Sequence, residues 1–193
     1  MLTLQQLCLQ RGQISVFQNY SLSVTGTRNC IVGANGSGKS SLLAAIAGLI
    51  PYQGQICWQG VPLGLPRQQI ALASDSIIFP EFLTATDLIN LQQKMWRTAP
   101  AASLIDCFAF APQLDKTVAS LSTGNLKKLQ LILAFMRQPD LLLLDEPNIA
   151  LDSAACTALF ALISEYAGHI LVATNEPERF AKQQFSVTAL SHA

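Results

Sequence analysis

Gly33-Ala34-Asn35-Gly36-Ser37-Gly38-Lys39-Ser40 satisfies the pattern G-x-x-x-x-G-K-[ST] and lies between two stretches of different periodicity. Upstream, Arg28 to Val32 reads as a buried strand. Downstream, Leu42, Leu43, Ile46 and Leu49 follow helical spacing until Pro51 and Gly54 supply a stop. Strand, glycine loop and helix in that order suit the binding of phosphate. Without Cβ atoms in the way, successive N–H groups can turn inward around an anion, and the helix N-terminus adds partial positive charge at the same place. Lys39 contributes a full charge. Ser40 contributes a hydroxyl able to reach a Mg2+ ion that shields the phosphates and readies the terminal phosphoryl group for transfer. The candidate phosphate-binding set is therefore Gly33, Ala34, Asn35, Gly36, Ser37, Gly38, Lys39, Ser40 and Ser41. A chance glycine turn is the competing explanation, but background frequencies bring the four fixed positions together in only about one such chain in a hundred.

The second signal is Leu141-Leu142-Leu143-Leu144-Asp145-Glu146-Pro147, an apolar run that reads as a strand buried on both faces and ends in two carboxylates. In a parallel sheet that end lies beside the phosphate loop, so Asp145 is expected to hold Mg2+ through water. Glu146 is expected to take a proton from an attacking water as general base. Taken alone, the segment also fits two acids in an exposed turn.

Around these signals, Leu2 to Leu9, Phe17 to Val24, Gln55 to Trp58, Gln69 to Ala73 and Ile170 to Ala173 read as strands. Thr86 to Trp96, Ala101 to Ala111, Ser122 to Arg137 and Ser153 to Ala167 read as helices. Strands alternating with helices imply an α/β fold with a parallel core sheet, and residues from about 77 to 121 form a helical insertion within it. A length of 193 residues suits one domain over 1–193. Charged residues are 12% of the chain, low enough to anticipate surface covered by a partner.

Acidic and basic residues balance at 12 each, which gives no footprint for nucleic acid or an anionic membrane surface. The apolar stretch Leu42 to Ile50 is too short to cross a bilayer, so no direct membrane insertion is expected. Met1 to Gln10 lacks the features of a secretory signal, and the expected location is the cytoplasm. The cysteines Cys8, Cys30, Cys57, Cys107 and Cys156 have no CxxC spacing and read as reduced thiols serving as small apolar residues.

Leu121-Ser122-Thr123-Gly124-Asn125 precedes the leucine strand, and Ala150-Leu151-Asp152 follows it. With these segments in place, the span from Gly33 through Asn175 resembles the ATP-binding-cassette (ABC) ATPases: phosphate loop, LSGGQ-like signature, strand with paired acids, and D-loop, in family order. The resemblance implies a P-loop NTPase of the ABC nucleotide-binding type, with an N-terminal antiparallel β segment beside the parallel core. It also implies Mg2+-dependent ATP hydrolysis and a head-to-tail dimer, homo- or heteromeric, in which Ser122 and Gly124 serve the partner's ATP. A hydroxyl and backbone amides at a helix N-terminus suit that anion. The further partner implied is a separate integral membrane permease, which would hold the chain at the inner face of the membrane. Within the family, Leu7-Cys8-Leu9-Gln10-Arg11-Gly12 and Val16-Phe17-Gln18-Asn19-Tyr20-Ser21-Leu22 look like the cytochrome c maturation heme-exporter ATPases.

Several positions depart from the family pattern. Where it has a glutamine after the strand preceding the helical insertion, this chain has Ser74-Asp75-Ser76, with Asp75 or Ser76 at the glutamine position. An aspartate there could contact Mg2+ but would repel the γ-phosphate. Asn175 stands at the switch-histidine position and cannot carry a proton at neutral pH; His169 and His192 fall elsewhere, as a strand-edge and a tail residue. Thr123 and Asn125 are milder changes, and neither Gln10 nor Arg11 is the aromatic that stacks on adenine in many members, although the Arg11 guanidinium could stack. These departures gather around the γ-phosphate, so the expected hydrolysis is slow. The leading function is the energy-coupling subunit of a transporter, with Phe79, Pro80, Phe82 and Leu83 near its docking surface. The alternatives are a soluble ABC ATPase and a weakly hydrolytic, ATP-gated scaffold without a permease.

Overall fold

The computed structural model describes residues 1–64 and 68–190. His192 therefore lies outside the described residues. Strands β1 (Leu2–Arg11), β2 (Ile14–Val24), β4 (Gln53–Trp58) and β5 (Val61–Pro62) form an antiparallel sheet in the order β2-β1-β4-β5. Strands β3 (Arg28–Val32), β6 (Ile70–Ala73), β7 (Leu141–Asp145), β8 (His169–Thr174) and β9 (Ser186–Ala189) form a parallel sheet in the order β6-β7-β8-β3-β9. The helices are α1 (Lys39–Ala47), α2 (Ala85–Trp96), α3 (Ala102–Cys107), α4 (Thr123–Met136), α5 (Ser153–Glu165) and α6 (Pro177–Ala181). The fold is α/β.

The parallel sheet separates two cores, and the period of two along each strand decides which side chain enters which. Leu141 and Leu143 join Ile31, Leu171 and Ala173 against Leu42, Leu43 and Ile46 of α1 and the inner face of the antiparallel sheet. Leu142 and Leu144 point the other way, with Ile170 and Val172, onto Leu129, Ile132 and Phe135 of α4 and Leu159 and Ile163 of α5. An unbroken leucine run is what a strand covered on both faces requires. Four parallel strands thus end together at Val32, Ala73, Asp145 and Thr174, the edge where ligands bind in open α/β sheets.

Some boundaries shift for local reasons. Helix α1 stops at Ala47, because Gly48 takes a left-handed conformation and the N–H groups of Gly48 and Leu49 bond back to Ala45 and Ala44, so Leu49 is exposed rather than helical. The helix expected over Ala101 to Ala111 is only α3, since Ala109 adopts φ 49 and Phe108 and Phe110 both turn into the core, before a 3-10 turn at Ala111–Gln113 that carries Pro112. Helix α2 begins at Ala85, capped by Thr84 and Asp87, which bond reciprocally to each other's backbone N–H. Strand β5, helix α6 and edge strand β9 had no expectation attached. All five cysteines are free; Cys30 and Cys57 are buried as read, whereas Cys107 is exposed.

Candidate functional site

The phosphate loop joins β3 to α1, and its shape is set by a turn from Ser37 N–H to the Ala34 carbonyl (3.1 Å) and by Gly38 at φ 87. Gly38 is constrained twice, because a Cβ there would also stand 2.5 Å from Val16 Cγ1 and 3.0 Å from Phe17 Cζ, on the strand that roofs the loop. The first helical bond runs from Leu42 N–H to Gly38, so the N–H groups of Lys39, Ser40 and Ser41 precede the ladder, and no acidic side chain occupies the first turn. That end of α1 is built for an anion.

Lys39 is buried, and its Nζ donates to the carbonyls of Gly33 (2.7 Å) and Ala34 (3.1 Å) and to Asn175 Oδ1 (2.6 Å). Three donors meet three acceptors, so a phosphate oxygen entering here exchanges with one of them. Asn175 Nδ2 also donates to Asn35 Oδ1, fastening the end of β8 to the phosphate loop. An asparagine amide can do both at once because it carries an acceptor and two donors on one group.

Glu146, half-buried at φ 44, follows β7 and is fixed from β8: its N–H donates to the Ala173 carbonyl (2.8 Å), and its Oε2 accepts from Thr174 Oγ1 (2.9 Å) and Asn175 N–H (3.3 Å). Asp145 is buried. Its Oδ2 accepts from Ser74 Oγ at 2.7 Å, and its Oδ1 is buried without a partner among the described residues. An orphaned carboxylate oxygen in the interior is costly unless a cation or ordered water completes it, and the Asp145 carboxylate with the hydroxyl of Ser40 is the kind of hard oxygen set that Mg2+ takes. The residues present fit that ion.

Asp75 does not join this group. Its exposed carboxylate lies 2.7 Å from the Nζ of Lys127, a residue of α4 with 1% side-chain exposure, in an ion contact that lacks the angles of a directed hydrogen bond. The residue of that loop that touches Asp145 is Ser74, and the residue that holds Glu146 through its side chain is Thr174; the sequence reading passed over both. Their partners lie 71 and 28 residues away, and Ser74 entered the sequence reading only as the neighbour of the glutamine position.

Ser122 caps α4, accepting from Asn125 N–H at 3.3 Å. Gly124 is pressed against the next segment, where a Cβ would lie 2.6 Å from the Ala150 carbonyl oxygen. Asp152 caps α5 and pairs with Lys128 of α4 at 2.8 Å, which ties α4 to the segment Ala150-Leu151-Asp152 a second time. Asn125, Leu126 and Ala150, the residues that Ser122 and Gly124 meet here, all lie outside the phosphate loop.

A profile of the ABC transporter family matches residues 17–148. The chain is 32% identical to the thiamine import ATP-binding protein ThiQ of Cereibacter sphaeroides, over 97% of this chain and 88% of that one. It is also 32% identical to the cytochrome c biogenesis ATP-binding export protein CcmA of Haemophilus influenzae, over 92% and 89%. The resemblance to the cytochrome c maturation ATPases is thus real, and is shared at equal identity by an importer. Among solved structures, an ATP-binding subunit of an ABC transporter superposes with TM-score 0.80 at 25% identity, covering 93% of this chain and 82% of that one. A bacterial ABC transporter cassette solved as a dimer superposes with TM-score 0.81 at 20% identity, over 100% and 96%, a likeness of fold. This chain belongs to the ABC transporter family, as one of its ATP-binding cassettes.

Proposed function

We propose that this chain is the ATP-hydrolysing, energy-coupling subunit of a transporter, working as a dimer on a separate integral membrane permease. The observation that carries the reading is the convergence of Lys39, Asn175, Glu146 and Asp145 at the C-terminal edge of one parallel sheet. In this scheme the amides of Gly33 to Ser41 and the Lys39 ammonium hold the phosphates, and Ser40 and Asp145 hold Mg2+. The ion, when bound, neutralises charge building on the phosphoryl oxygens. Glu146 takes the proton of the attacking water; with Oε2 already accepting two donors, the open lone pairs are those of Oε1. Ser122 and Gly124 would close on the partner's nucleotide, and the contact of Gly124 with Ala150, together with the Lys128–Asp152 pair on the same helix, would carry that closure to the D-loop. The chain is read as one domain with the helical subdomain at about 77–121. Among the described residues no helix is long and apolar enough to cross a membrane, consistent with peripheral attachment at the inner face through the permease.

Docking is supported by Ile78 and Phe82, 90% and 79% exposed, between the end of β6 and α2, while Phe79 and Leu83 pack against the core. Two such apolar side chains in solvent suit a covered surface. Affinity purification from detergent-solubilised native membranes tests this: a stoichiometric multispanning protein is expected, and recovery with soluble partners alone overturns it. Slow turnover is supported by Asp75 engaged with Lys127 and by an unprotonatable Asn175. The same two observations favour an ATP-gated scaffold as the second reading. Tight ATP binding without phosphate release would select it.

A further inference from the structure

The loop after β6 alternates in direction: Ser74 is buried, Asp75 is turned out to Lys127, and Ser76 turns back to Ser74. Ser74 Oγ has three partners, namely Asp145 Oδ2 at 2.7 Å, Ser76 Oγ at 2.8 Å and Ser76 N–H at 3.2 Å. A hydroxyl owns one proton, and an ionised carboxylate can only accept. The Ser74 proton therefore lies toward Asp145, and the two Ser74 lone pairs receive the Ser76 hydroxyl and amide. The direction of the Ser76–Ser74 bond follows: Ser76 donates. The result is a one-way relay, Ser76 to Ser74 to Asp145 Oδ2, in which each bond polarises the next. It occupies one carboxylate oxygen and leaves Oδ1 buried and unpaired.

We propose that Ser74, backed by Ser76, is a positioning residue that orients the Asp145 carboxylate so that Oδ1 is presented to the nucleotide's Mg2+. The proposal rests on the reading that Asp145 serves Mg2+. The mechanism is that of an outer-shell partner, which fixes a ligand's rotamer and charge distribution without touching the metal. In this loop Asp75 then holds α4, and Ser74 holds the Asp145 carboxylate.

The test is a titration of a fluorescent ATP analogue into the full chain across Mg2+ concentrations, and again in EDTA, for the native protein and the variants Ser74→Ala, Ser74→Thr, Ser76→Ala and Asp145→Asn. Removing an outer-shell partner costs about 10–100-fold in metal affinity, so Ser74→Ala should raise the Mg2+ concentration at half-effect by about tenfold. Affinity in EDTA should stay unchanged, a split that general misfolding would not produce. Ser74→Thr, which keeps the hydroxyl, should recover most of the loss, and Ser76→Ala should show a smaller shift of the same kind. If Asp145→Asn abolishes the Mg2+ dependence while Ser74→Ala and Ser76→Ala leave it within about twofold, the proposal is overturned and the reading of Asp145 survives. If Asp145→Asn itself leaves the dependence intact, the underlying reading fails and the proposal with it.

Discussion

Replacing Gly38 by alanine tests whether the phosphate loop is shaped by its own backbone and by the strand above it together. At φ 87 a residue with a Cβ carries a left-handed penalty of about 1–2 kcal/mol. The same Cβ would lie 2.5 Å from Val16 Cγ1 and 3.0 Å from Phe17 Cζ, an overpacking that costs about 1–3 kcal/mol in a filled interior. Gly38→Ala should therefore destabilise the chain by about 2–5 kcal/mol, read as a fall in the urea midpoint at unchanged slope. The two contributions separate in a double-mutant cycle. Val16→Ala removes the closest methyl, so Gly38→Ala should cost about 1 kcal/mol less in that background, while the backbone penalty remains. A loss below about 0.5 kcal/mol would show that the loop bears no such strain at Gly38, and a loss independent of Val16→Ala would show that the β2 roof takes no part.

Asn175→His restores a titratable group beside Glu146 and Lys39; steady-state phosphate release should rise at least about tenfold, with a pH dependence near the ordinary histidine value of about 6.5, and an unchanged rate would mean that this position does not limit turnover. The hydrogen bond from Lys128, followed by the Ala155 N–H, holds the Asp152 carboxyl below its usual range. A depressed native pKa adds stability that is present above the unfolded value of about 3.9 and is lost as pH falls through the native one. Asp152→Asn keeps the helix cap but removes this proton linkage, so its melting temperature should fall less steeply than that of the native chain as the pH drops below about 4; parallel curves would contradict the pairing with Lys128.

Much of the architecture was legible in the sequence because both decisive segments are local. The glycine run declares a loop between strand and helix, and four consecutive leucines declare a strand covered on both faces. What escaped is set by tertiary contact. Helix α3 ends early because Phe108 and Phe110 both find the core, which no periodicity over Ala101 to Ala111 foretells. Strand β9 forms because a parallel edge beside β3 accepts Ser186–Ala189, a segment too short and polar to announce itself. In the site, Lys39, Glu146 and Asp145 were readable from motif and charge, and Asn175 only through the family resemblance, as the residue at the switch-histidine position. That Asn175 bonds to Lys39, that Asp75 turns to Lys127, and that Ser74 reaches Asp145 depends on where four strands end in space.

On the function proposed, Glu146 activates water for hydrolysis of ATP held by the phosphate loop. Phosphate release and ATP affinity should be measured together on the native chain and on Glu146→Gln, with and without Mg2+. The native chain should release phosphate slowly and only with Mg2+, the variant about 100-fold or more slower still, and both should retain ATP affinity. Undiminished release by Glu146→Gln, or ATP bound by the native chain and never hydrolysed, would contradict that function.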